Sequence, residues 1–146
     1  MRILCIGEDA PPGSGIYLLG VLKTLQVKVA HVSSKARVPE RLLRRHFNSI
    51  IFSDYPRSNL SASVEQAIVN QIRAGSGLLM IGGWGSFSGP FGRWKGSLIE
   101  ELLPVRCQGK DDRRNLSGNN ILHQLQDVWN HNQQCTTRFQ EFPPIG

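Results

Sequence analysis

Apolar and polar positions along residues 1–100 switch back and forth between two periods. Short, nearly continuous apolar runs, "RILCIG", "VKVAHV", "NSIIFSD" and "GLLMIGG", predict buried strands bounded by glycine, serine or aspartate. Between the first two, "SGIYLLGVLKTLQ" sets Ile16, Leu19, Leu22 and Leu25 at helical spacing. Between the second and third, "VPERLLRRHF" predicts a short helix with Pro39 tolerated in its first turn. Between the third and fourth, the serines of "LSASVEQ" can cap a longer helix through "VEQAIVNQIRAG", with Ser63 and Gln66 at capping-box spacing and Gly75 at its C-terminal stop.

Strands alternating with helices at these lengths require right-handed crossovers and a parallel sheet covered on both faces. The predicted architecture is α/β, a doubly wound, mainly parallel sheet with helices on both faces, flavodoxin-like or Rossmann-like. Past residue 96, "SLIEELLP" predicts a short amphipathic helix stopped by Pro104, and "VRCQG" a further strand. Composition then shifts to an Asn/Gln-rich tail. Residues 1–110 form the expected α/β domain, and 111–146 a tail that either completes it, with Ile121, Leu122, Leu125 and Val128 inward on a helix, or ends it loosely ordered.

In such sheets ligands gather at the carboxyl ends of the strands. Those ends are "GEDAPPGSG", "HVSSKAR", "SDYPRSN" and "GGWGSFSGPFGRWKG". The last, rich in glycine and aromatics and too long for a plain connector, is the best candidate for a binding loop. A strand turning sharply at small residues can expose a nucleophile beneath an oxyanion hole. Here Gly82, Gly83, Trp84 and Gly85 occupy the turn, and Ser86 comes later than an elbow nucleophile should, in a position that suits a turn or capping hydroxyl. Asp54 ends the third strand and His31 the second, so Ser86, Asp54 and His31 are the candidate catalytic groups. Asp54 equally suits a cap of the turn "SDYP", and His31 a partly buried structural role. Tyr55, Trp84, Phe87, Phe91 and Trp94 fall in loops on one sheet edge, where they can wall a small-molecule pocket, meet another subunit or cover the sheet end.

Composition narrows the function classes. With 40% apolar and 19% charged residues, the 146-residue chain is of globular type, and no apolar run approaches bilayer length, so a cytoplasmic protein is expected. Cys5, Cys107 and Cys135 are too scattered for a disulfide framework or a zinc site, and Cys5 reads as a small buried hydrophobe. Neither glycine-rich loop matches a dinucleotide or P-loop fingerprint, so no cofactor is implied. Net charge is +6, concentrated at Arg37, Arg41, Arg44 and Arg45. No nucleic-acid-binding motif accompanies them, which favours a solvated face over a nucleic-acid partner.

Taken together, "SIIFSDYPRSNLS", "VNQIRAGSGLLMIGGWGSFSG" and "GSLIEELLPV" resemble the class I glutamine amidotransferase-like superfamily, most closely its branch of proteins described as putative glutamine amidotransferases. The resemblance covers roughly residues 1–110 and implies a flavodoxin-like fold with the elbow at Gly83 and Trp84. Active amidotransferases carry a cysteine at that elbow and a downstream His and Glu, which release ammonia from glutamine. Glycine and tryptophan stand there in this chain, and the Asn/Gln-rich tail departs from the branch pattern. Two functional expectations follow. One is a non-catalytic amidotransferase-like domain that binds a small molecule or a protein partner, with a homo-oligomer allowed, through Gly82–Ser86, Asp54 and Tyr55. The other is a hydrolase or transferase using Ser86 with Asp54 or His31.

Overall fold

The computed structural model of the chain describes residues 1–9 and 13–111. Each of the four apolar runs forms a strand: β1 (Arg2–Gly7), β2 (Lys28–Val32), β3 (Ser49–Ser53) and β4 (Gly77–Ile81). All pair in parallel, in the order β2-β1-β3-β4, the order of flavodoxin-like sheets. Leu4 lies level with Ala30 and Ile50, and Ile6 with Val32 and Phe52. β1 and β3 are central and β2 and β4 flank them, which is why the apolar runs of β1 and β3 are buried almost throughout while β4 alternates.

Side chains alternate across the sheet, and each face has its own helix. Leu4, Ile6, Ile50 and Phe52 pack with Val64, Ile68 and Val69 of α2 (Ala62–Arg73). Ile3, Cys5 and Ile51 pack with Leu22 of α1 (Ile16–Thr24). The sheet is therefore covered on both faces, as the alternation of periods predicts. Cys5 is buried among these side chains, and that burial pushes its thiol up to about 11. The described residues fall in one compact unit, Met1–Arg113. Among them no helix is long and apolar enough to cross a membrane.

Several local expectations change. On α1 only Leu22 of the four spaced residues is buried; Ile16 and Leu25 are exposed, because the helix is apolar all round and the sheet can cover one side. Glu40–Arg44 is a 3₁₀ turn instead of an α-helix, with Pro39 extended before it and only Leu42 and Leu43 packed on the core, too little apolar face for longer propagation. The cap of α2 is Ser61, whose Oγ accepts from Val64 N at 3.3 Å. Ser63 sits inside the first turn and donates to Glu40 Oε1, while Gln66 bonds Asn70 one turn on. The Gly75 stop is as expected: φ is +108°, Gly75 N donates to Ile72 O and Ser76 N to Gln71 O.

Of "SLIEELLP" only Glu100–Leu102 is helical, a 3₁₀ turn, and "VRCQG" forms no strand. The cause is Glu100. Its carboxylate folds back to accept from Gly96 N and Cys107 N, each at 2.5 Å, which closes the segment into a compact loop and uses the N–H that a strand at Cys107 would need. The tail expectations, including a helix with Ile121, Leu122, Leu125 and Val128 inward, lie outside the described residues, as do His123, His131 and Cys135.

Candidate functional site at the carboxyl edge of the sheet

β1 and β3 are neighbours whose following helices leave to opposite faces, so the crevice beyond their carboxyl ends is the switch point of the sheet. The chain is tight there. A Cβ added at Gly7, where φ is +116°, would stand 1.7 Å from Ser53 O, so β1 can end beside β3 only with glycine. The next residue of each strand, Glu8 and Asp54, is left-handed, with φ of 59° and 50°. Ser53 Oγ donates to Glu8 Oε1 at 2.7 Å, tying the two strand ends together. Non-glycine residues held at positive φ persist where the surroundings over-determine them, and such positions cluster at functional sites. Glu8 is a residue that composition and spacing did not single out; its one signal is an acidic side chain directly after a strand-ending glycine.

The loop after β4 is built onto Asp54. Its Oδ1 accepts from Gly85 N at 2.5 Å, and its backbone N donates to Ser86 Oγ at 3.1 Å. Ser86 is buried, and its hydroxyl donates in turn to Ile81 O at 2.6 Å. The hydroxyl hydrogen therefore goes to a carbonyl, not to a base. A Cβ at Gly83 would lie 2.6 Å from Asp54 Oδ1 and 2.8 Å from its Cβ and Cγ, so the Asp54 carboxylate occupies the place of a side chain at the turn. Gly82, one residue earlier, has nothing within 4 Å of its own Cβ position. Instead of a helix, a run of tight turns follows β4, with Ser86 N donating to Gly83 O and Gly89 N to Ser86 O. His31 stands apart from Ser86 in its bonding, with Nε2 2.9 Å from Gly7 O.

The five loop aromatics divide. Tyr55 and Trp94 are fully buried. Trp94 packs edge-on to Phe52 at 5.1 Å, and its indole N–H is shared between Tyr55 O and Gly85 O, at 3.1 and 3.0 Å. Tyr55 Oη shares its hydrogen between Ala36 O and Asn59 O, and burial pushes the phenol up to about 12. Phe87 is partly buried against the same core. Trp84 and Phe91 point outward, 59% and 58% exposed, and stack on each other with ring centres 6.3 Å apart. So the inner aromatics belong to the core, while Trp84 and Phe91 remain exposed at the edge.

An ion pair anchors the loop from below. Glu65 of α2, almost fully buried, pairs with Arg57, whose own N donates to Gly92 O at 3.0 Å and whose Nη1 donates to Leu60 O at 3.0 Å. Among the described residues, no group of three or more His, Cys, Asp and Glu side chains is placed to hold a metal ion.

A parallel sheet in this order, helices on both faces and a glycine-built turn after β4 define an α/β domain of the class I amidotransferase-like type. Residues 43–143, more than half of the chain, match the model of the family described as "Putative glutamine amidotransferase", and the chain belongs to that family. The match takes in β3, α2, β4 and the whole Gly-aromatic loop, and its bounds extend to residue 143. β1, α1 and β2 precede the matched residues, yet they supply one of the two central strands and one edge of the same sheet. None of the curated proteins matches the chain.

Proposed function

We propose that this chain is an amidotransferase-like domain that does not hydrolyse glutamine and instead binds a small molecule at the carboxyl edge of its sheet, through the Gly82–Ser86 turn, Asp54 and the exposed Trp84. The observation that carries the reading is the packing at Gly83: the space a nucleophile's side chain would need is filled by the Asp54 carboxylate. Ser86 does not replace it, since its hydroxyl is buried and committed to the Ile81 carbonyl. What the edge retains is a rigid frame, with strand ends knit together and an exposed aromatic pair above them. The test is ammonia release from glutamine by the purified full chain. The expected result is no release above buffer; release at an enzyme-like rate, lost in a folded Ser86→Ala variant, would overturn the reading.

A further inference from the structure

Two hollows open on the outer side of the loop after β4, and they share Pro90 and Arg93. The larger, of about 450 Å³, is bounded by Arg93, Lys95 and Lys110 along with Ser88, Gly109 and Asp111. The smaller, of about 200 Å³, is bounded by Phe91 and Arg93. Among the described residues, three cations and one carboxylate line the larger hollow, and none of the three cations forms an ion pair with another described residue. The volume lies within the range of small-molecule sites.

The walls are fixed. Ser88 Oγ donates to Gln108 O at 3.0 Å, joining the two chain segments that face each other across the larger hollow. Gly109 lies beside a cation, with Lys95 Nζ 3.1 Å from where a Gly109 Cβ would be. Arg93 is left-handed, with φ of 53°, between the buried Gly92 and Trp94. Its neighbours therefore fix its direction, and strain of this kind is retained where an orientation is used. Beside it Phe91, held by its N–H to Trp84 O at 3.0 Å, presents the exposed Trp84–Phe91 stack.

Unpaired Arg and Lys side chains around a hollow attract an anionic oxygen group, and Arg can hold a phosphate or carboxylate through two parallel hydrogen bonds. The exposed aromatic face of Phe91, two residues before Arg93, favours a planar ring on the same ligand. We propose that the Ser88–Lys95 loop binds a small molecule that joins an anionic phosphate or carboxylate to a planar ring, the anion held by Arg93, Lys95 and Lys110 and the ring laid on the Phe91–Trp84 pair. The inference rests on the small-molecule reading given above and names the ligand class of that edge.

The experiment is calorimetric titration of the full chain with adenosine monophosphate, nicotinate, adenosine and inorganic phosphate. Saturable binding is expected for adenosine monophosphate, which identifies a phosphate ligand, or for nicotinate, which identifies a carboxylate. Either should bind at least tenfold more tightly than adenosine or phosphate alone. Arg93→Gln and Lys95→Gln should each weaken the ring-bearing anion tenfold or more, while Phe91→Ala should weaken it without changing the affinity for inorganic phosphate. These positions are exposed, so the variants should remain folded by circular dichroism, which is checked first. Absence of saturable binding by both ring-bearing anions, or binding indifferent to Arg93→Gln and Lys95→Gln, would overturn the proposal. Ammonia release distinguishes the two readings: a chain silent with glutamine that binds neither anion loses the ligand class and keeps its non-catalytic character.

Discussion

Replacing Gly83 by alanine tests the packing on which the functional reading stands. The added methyl would lie 2.8 Å from Asp54 Cβ and Cγ and 2.6 Å from Oδ1. Carbon atoms in contact settle at about 3.5–4.0 Å, so the Asp54 side chain must retreat by most of an ångström. Retreat breaks its 2.5 Å bond from Gly85 N, a hydrogen bond to a charged group worth about 1.5–3 kcal/mol. If Asp54 holds its place instead, the overpacking costs about 1–3 kcal/mol. On either route the expected loss is roughly 1–3 kcal/mol, which at a urea m-value of about 2 kcal/mol/M lowers the unfolding midpoint by about 0.5–1.5 M. Urea titration followed by the fluorescence of the buried Trp94 reads it directly. Gly82→Ala, one residue away with open space around its Cβ position, is the control and should stay within about 0.5 kcal/mol of the parent. Asp54→Gly, acceptable to the left-handed backbone at that position, should recover part of the loss when combined with Gly83→Ala. Equal midpoints for the two alanine variants would refute the argument that Asp54 fills the elbow. A cysteine at position 83 would place its Cβ against the same Asp54 atoms.

Other expectations follow the same packing. Arg57→Met strands the buried Glu65 carboxylate and should cost about 3–5 kcal/mol by urea titration, whereas Arg57→Met with Glu65→Met together should restore much of it. Trp94→Phe removes the indole N–H shared by two carbonyls named above, Tyr55 O and Gly85 O, and should cost about 1–3 kcal/mol with a changed near-ultraviolet circular dichroism spectrum. Glu100 accepts from Cys107 N and Gly96 N, which hold its carboxyl below the ordinary glutamate range. Its folded pKa lies under the unfolded one, so its contribution is complete above about pH 4.3 and fades as pH falls through the folded value. Stability of Glu100→Gln measured from pH 6 downward should therefore fall less steeply than that of the parent, and parallel curves would exclude this role.

What was legible in the chain and what was not separates by distance. The strands, α1, α2 and the Gly75 stop depend on runs of neighbouring residues, and their period is written locally, so the parallel α/β class follows from the sequence and agrees with the sheet. The failures are short elements whose ends are set by partners elsewhere. Of the serines that can cap α2, Ser61 does so while Ser63, at capping-box spacing, bonds Glu40, and "VRCQG" has the pattern of a strand but donates its Cys107 N–H to Glu100. Helix signals in five-residue segments are weak because so few bonds support propagation, and a single outside partner then decides them.

The Gly-aromatic loop shows the same division at the candidate site. From the sequence alone came its place at the end of a strand, its glycines and the absence of cysteine from the turn. Only the folded chain decided that Asp54, 31 residues before Gly85, lies under the turn, that Tyr55 and Trp94 go to the core while Trp84 and Phe91 face outward, and that Ser86 spends its hydrogen on a carbonyl. Those outcomes depend on the register of β3 against β4, which brings two loops together at the sheet edge. No local pattern encodes how closely two such loops approach, and at Gly83 that approach leaves no room for a side chain.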